Sequence, residues 1–216
     1  MNYTLKIFEN ESGKLIKSAE HTEEQMKRIE KILEAGTASA ASAERTRKLA
    51  DIEAGSTFKV GEHEFIVLEQ QEGRTLALRK DILCKMTFGK NNNFATSEVR
   101  ARLAEFATEI EAIVGEGNLM EHTVDLTSDD GLDDYGTCPA KASLLTAEMY
   151  RRYVRIIDKH KAKEWWWLAT PWTTPTHDDD ICVKCVSPRG NVGNGICIND
   201  IGVRPFCIFV SDIFVS

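Results

Sequence analysis

The stretch WWWLATPW, residues 165–172, constrains the fold more than any other part of this chain. Side chains alternate across a strand, so Trp165 and Trp167 would share one face and Trp166 the other. Each indole gains most when a large apolar area is taken from water. Indoles on both sides predict a strand covered on both faces, at the heart of a mixed domain.

A chain of 216 residues can bury one good core, or a compact domain with a helical appendage. Its net charge is −7, with the acidic surplus mostly upstream of residue 165. A basic stripe of the kind that meets phosphate backbones is therefore not expected, and nucleic acid is not a predicted partner. No apolar run approaches the ~18–20 residues that cross a bilayer, so membrane insertion is not predicted. The opening MNYTLKIFENESGK lacks the apolar region of a secretory signal. The expectation is a protein cytoplasmic on synthesis, with virion association left open. Six cysteines in that setting read as reduced thiols.

Residues 1–54 read as an appendage and linker. NYTLKIF predicts a strand ending in a turn at NESGK. Thr22 and Gln25 then fit a capping box, with Met26, Ile29, Ile32 and Leu33 as one apolar stripe. Such a stripe suits docking, or self-association into a homo-oligomer. Residues 55–216 read as the main domain. STFKVGEHEFIVLEQ predicts a hairpin, with Phe58 and Val60 on its first strand and either Phe65 and Val67 or Ile66 and Leu68 inward on its second, followed by a third strand in RTLALRKDIL. Ser97 is the expected cap of a helix burying Val99, Leu103, Phe106, Ile110 and Ile113. A second helix, TAEMYRRYVRIIDKH, is expected to bury Met149, Tyr153, Ile156 and Ile157. Short strands and turns follow, and the fold class is α+β.

The motifs that invite chemistry are weak. Counted from Asp125, the acidic loop DLTSDDGLDDYG has Asp130 at its sixth position and Gly136 at its twelfth, where a calcium loop needs Gly and Glu. Asp/Gly turn chemistry explains the loop more simply. Cys182-x-x-Cys185 has the spacing of half a zinc site, with Cys197 and His177 as further donors. In a strand, however, residues 182 and 185 point to opposite faces, and ICVKCV holds no Gly or Pro to form a knuckle. No nucleophile, base and orienting acid can be named together, so no enzyme, metal or cofactor is predicted. A zinc- or thiol-dependent module using Cys182, Cys185 and Cys197 stays open as a rival, as does a structural phage-encoded domain without a variable ligand.

From Thr173 to Ser216 the chain uses no Glu, Gln, Met or Trp, and one Lys, Lys184. Strands and turns deplete some of these types anyway. A sharper account is an Asn codon, AAC or AAT, whose two adenines are randomised. It never yields a stop, and it never yields Glu, Lys, Gln, Met or Trp.

WWWLATPW, the VSPRGNV turn and the terminal GVRPFCIFVSDIFVS resemble the DUF6273 domain of bacterial and phage proteins. NNNFATSEVRARL, DLTSDDGLDDYG and SLLTAEMYRRY fit the same family, so the match covers roughly residues 50–216. That family is similar to C-type-lectin-like, formylglycine-generating-enzyme-like folds, including the variable proteins of diversity-generating retroelements. The resemblance implies a scaffold carrying Trp165, Trp166, Trp167, Gly202, Val203, Arg204 and Pro205, and a hypervariable stretch at 173–201. It implies a ligand-binding face made of Trp172, Thr174, His177, Asp178, Asp179, Asp180, Arg189, Asn191, Asn194, Asn199 and Asp200. The ligand would be a protein or a glycan. Few tyrosines in this copy predict a polar, acidic face with Trp172 as its aromatic anchor.

Overall fold

The computed structural model describes residues 47–216 in full, and before them the backbone of residues 2–8 and 15–22. The chain divides into two compact units, Met1–Arg45 and Thr46–Ser216. The first holds an antiparallel pair, β1 (Asn2–Phe8) and β2 (Leu15–Thr22), with Asn2 opposite Thr22. Only β1 is predicted by the sequence; LIKSAEHT starts with an adjacent apolar pair and shows no alternation. Thr22 ends β2, and the helix expected after it, with its Met26–Leu33 stripe and the linker beyond, lies outside the described residues.

The division falls upstream of the predicted 54/55 boundary. Leu49 and Ile52 are fully buried in the main core, and the strand Arg47–Lys48 pairs with Phe214–Val215. The second unit opens with the predicted hairpin, β3 (Thr57–Val60) and β4 (His63–Gln71), turned at Gly61 with its positive φ of 57°. β5 (Arg74–Arg79) pairs with β4, and β6 (Cys84–Met86) leads toward α1 (Glu98–Val114). Ser97 caps α1 by accepting from the Arg100 N–H at 3.0 Å. β7 (His122–Asp125) and β8 (Thr137–Ala140) flank the acidic loop. α2 (Ala147–Ile157) is capped by Thr146, and β9 (Trp166–Pro171), β10 (Cys182–Val186), β11 (Val192–Ile196), β12 (Ile201–Val203) and β13 (Phe206–Val210) complete the chain.

Apart from the two-stranded β7–β8 and 47–48/214–215 pairs, the strands of the second unit form two sheets. One runs Ala142–Ser143, β13, β5, β4, β3, with Leu119–Met120 also on β13; the other runs β11, β10, β9, β12, β6. β9 and β12 are parallel, Trp166 opposite Gly202. Period-two alternation distributes the side chains between two cores. Phe65, Val67, Trp167, Ala169, Cys207 and Phe209 join the core packed by α1, whereas Ile66, Leu68, Trp166, Leu168 and Phe206 join the core packed by α2. The central strand β9 is thus buried on both faces, as two fully covered indoles require. Among the described residues no helix is long and apolar enough to cross a membrane.

Two expectations need correction. α2 buries Ala147, Tyr150, Tyr153 and Ile157, while Met149 and Ile156 are only partly covered. The stripe is rotated because the Tyr150 hydroxyl reaches the Gly190 carbonyl at 2.7 Å. Trp166 and Trp167 are buried as expected, but Trp165 precedes β9 and stays 45% exposed. The other predicted scaffold residues, Gly202, Val203, Arg204 and Pro205, are all buried. Arg204 lies over the Trp166 ring at 5.2 Å and donates to the carbonyls of Arg79, Lys80 and His160. Burial pulls its pKa down to about 10.

Candidate ligand-binding face

The free end of the β9–β10–β11 sheet carries four of the large apolar side chains exposed among the described residues. Pro171 pairs with Val183, the Trp172 N–H donates to the Cys182 carbonyl at 3.0 Å, and Cys182 pairs with Ile196. Paired residues share a face of the sheet, so Trp172, Cys182 and Ile196 form one row across the strands. Trp172 is 42% exposed, Ile196 44%, Ile181 49% and Ile198 73%. The predicted polar, acidic surface is therefore mixed: Asp178, Asn194, Asn199 and Asp200 are exposed, Asp179 and Asp180 half-buried, with isoleucines between them. The alternation around Cys197, which is buried, was the available signal that Ile196 and Ile198 point outward.

The loop joining β9 to β10 is held by residues far away in sequence. Asn92 is fully buried, and its side-chain amide donates to the carbonyls of Thr173 and Cys182 at 2.8 and 3.0 Å. Its backbone N–H donates to the Asp180 carbonyl at 2.7 Å, and the Tyr135 hydroxyl completes its partners at 2.8 Å. Burial drives the Tyr135 phenol up to about 12, so it stays a donor. Asn92 thus ties both ends of the 173–182 loop together, a role no local pattern in NNNF announces.

The acidic loop completes this support. Asp130 accepts from Ser128, from the Thr173 hydroxyl at 2.6 Å and pairs with His177 Nδ1 at 2.8 Å. Those bonds hold its carboxyl well below the usual range. Asp134 accepts from Thr174 and Thr176, each at 2.6 Å, and its pKa is lowered by them. The Thr173 hydroxyl donates to the carboxylate at 2.6 Å and also stands 3.4 Å from His177 Nδ1, so Thr173, His177 and Asp130 form one hydrogen-bonded triangle. The cluster clasps the acidic loop to the loop joining β9 to β10.

Each sequence-predicted site residue can now be placed. Thr174 is fully buried with its hydroxyl donating to Asp134, so the structure places it in the clasp beneath the surface. His177 is exposed but tethered to Asp130. Asp178 sits at a left-handed φ of 58°, which Asp tolerates better than most residues. Arg189 and Asn191 are exposed at the opposite end of β10 and β11 from Trp172. Their turn is gripped by Tyr150 and by Lys161, whose ammonium donates to the Arg189 carbonyl at 3.0 Å. The predicted set is therefore not one site; Arg189 and Asn191 stand apart because the register of β10 with β11 puts a whole strand between them and the rest.

Asn194, Asn199 and Asp200 border an open cleft of about 420 Å³ that Lys85, Glu164 and Trp165 also line. Trp165, read from sequence as scaffold, is the residue this site gains. Its ring edge lies 3.3 Å from where a Cβ on Gly193 would stand.

The cysteines do not converge. Cys182 pairs with Ile196 and Cys185 with Gly193, on opposite faces of β10. Burial pushes the Cys185 thiol up to about 11 and the Cys197 thiol up to about 12, which suppresses the thiolate. Among the described residues, no group of three or more His, Cys, Asp or Glu is arranged to hold a metal ion. No known protein family, no curated protein and no solved structure matches the chain.

Proposed function

We propose that this protein recognises a macromolecular ligand, protein or glycan, through the face built on the loops and edge strand between Trp172 and Asp200. The proposed framework is a C-type-lectin-like domain of the DUF6273 kind, with its face rewritten by a retroelement through adenine-directed changes. One observation carries the reading: burial in the tail separates packing residues from free ones. Val183, Cys185, Val186, Gly195 and Cys197 are buried, while Trp172, Asp178, Ile181, Asn194, Ile196, Ile198, Asn199 and Asp200 are exposed. The one Lys of the tail also fits, because Lys184 is buried and paired with Asp129 at 2.9 Å, in the scaffold. Loops on a rigid β-framework can vary without unfolding it.

Two measurements test this. Substituting Asp178 by Asn, which keeps its left-handed backbone tolerated, together with Asn194, Asn199 and Asp200 by Ser should leave the melting temperature nearly unchanged, since exposed positions shift stability by ~0.5 kcal/mol or less each. A cooperative loss of several kcal/mol would show that these side chains serve the fold. Sequencing the flanking DNA should reveal a near-repeat of the coding region for residues 173–216 that differs only at adenines, beside a reverse-transcriptase gene. Its absence would remove diversification and leave a fixed binding role.

A further inference from the structure

The cleft beside Trp165 has a chemistry of its own. Trp165 is half exposed, yet its backbone is fixed in the sheet, its carbonyl accepting from the Gly202 N–H at 2.9 Å. Its ring edge rests over Gly193, where a side chain would displace it. An indole held this way is a flat, apolar platform whose negative π-face attracts partially positive C–H groups. Around it stand an amide and a carboxylate, Asn199 and Asp200, on the turn between β11 and β12. Together they offer donors and acceptors to a ligand rich in hydroxyls.

Charge narrows the class further. Among the described residues lining the cleft, Lys85 is the one cation, and it is already paired with Glu164. Asp200 leaves the lining net negative, so a phosphate or carboxylate would meet repulsion without a free cation to offset it. The volume of about 420 Å³ falls in the range of small-molecule sites, roughly 300–1,000 Å³. We infer that this cleft is a subsite for a neutral pyranose ring, stacked on the Trp165 indole and hydrogen-bonded through its hydroxyls by Asn199 and Asp200. The inference rests on the recognition role proposed above and names the ligand class of one part of that face.

The test uses the full chain and the methyl glycosides of glucose, galactose, mannose and N-acetylglucosamine, with adenosine as a flat but non-sugar probe. Indole N–H resonances are followed by NMR, that of Trp165 being assigned with Trp165→Phe. At least one glycoside should shift the Trp165 resonance at millimolar concentration. Trp165→Ala should weaken that binding by about tenfold or more, and Gly193→Ala, which crowds the ring, should weaken it while the protein stays folded. Trp172→Ala should change it less than about twofold. Absence of any glycoside effect on Trp165, equal binding by wild type and Trp165→Ala, or adenosine binding in place of the sugars would overturn the inference. A selected protein ligand lost in Trp172→Ala, with Trp165 silent toward all four sugars, would overturn the saccharide assignment alone and leave the recognition role standing.

Discussion

His122 should make the stability of the second unit depend on pH in a calculable way. It lies on β7, edge-on to Phe206 with ring centroids 5.1 Å apart, and its Nε2 is 2.8 Å from the Ser143 hydroxyl. Burial lowers its pKa from 6.5 to about 4, against an opposing pull from the Met120 backbone. The unfolded chain therefore binds a proton at this site below about pH 6.5, whereas the folded chain refuses it until about pH 4. Stability falls as pH drops through that window, and this group's share is about 3 kcal/mol once both states are protonated. About 2.5 kcal/mol of it is lost by about pH 4.5. Urea unfolding of wild type and His122→Gln, at about pH 7.5 and about pH 4.5, isolates the effect. Carboxylates held low in the fold, such as Asp130 and Asp134, also lose stability toward acid, but equally in both proteins. Wild type should lose about 2.5 kcal/mol more than the variant across the interval. Parallel losses within about 0.5 kcal/mol would refute a neutral, largely covered His122.

Two further outcomes follow from packing. Trp166→Ala should cost ~3–5 kcal/mol in urea unfolding, because the indole is fully buried against Tyr150 and beneath the Arg204 guanidinium; a wild-type-like transition would count against its place in the core. Gly195→Ala should destabilise by ~1–3 kcal/mol, since its Cβ would stand 2.7 Å from the Trp167 ring and 2.8 Å from Ile201. Gly193→Ala should cost distinctly less, since its Cβ would stand 3.3 Å from the half-exposed Trp165 ring, and equal costs at the two glycines would contradict that difference in clearance.

What was legible in the sequence was local. The β3–β4 hairpin follows from alternation of Phe58, Val60, Phe65 and Val67 around a glycine turn, and α1 follows from its Ser97 cap and 3.6-residue stripe. What was not legible depends on partners distant in sequence. Tyr150 turns inward on account of Gly190, and Asn92 is buried on account of Thr173, Asp180 and Cys182. Trp165 escapes the core because β9 begins one residue later, a boundary that periodicity cannot fix to that accuracy. Thr174 looked like a surface residue because nothing near it in sequence announces Asp134, forty residues upstream.

Those distant contacts also decide how much of the tail can change. β10 is buried from Val183 to Val186 because it lies inside the sheet with a core on either face, so its residues are as constrained as any in the protein. β11 is an edge strand, where Asn194 and Ile196 are exposed while Gly195 is forced by the Trp167 ring. Freedom is therefore interleaved with constraint residue by residue, rather than spread over 173–201. Varying His177 would remove one bond to Asp130, but Thr173 and Ser128 would still hold that carboxylate, so the clasp survives the loss. Substituting Thr173 or Asn92 removes the support itself, since each fixes backbone or side chains on both sides of the loop. A face that tolerates new chemistry thus depends on supports placed outside it or beneath it, and the alternation of β-structure is what lets an exposed residue and a supporting one be neighbours in the chain.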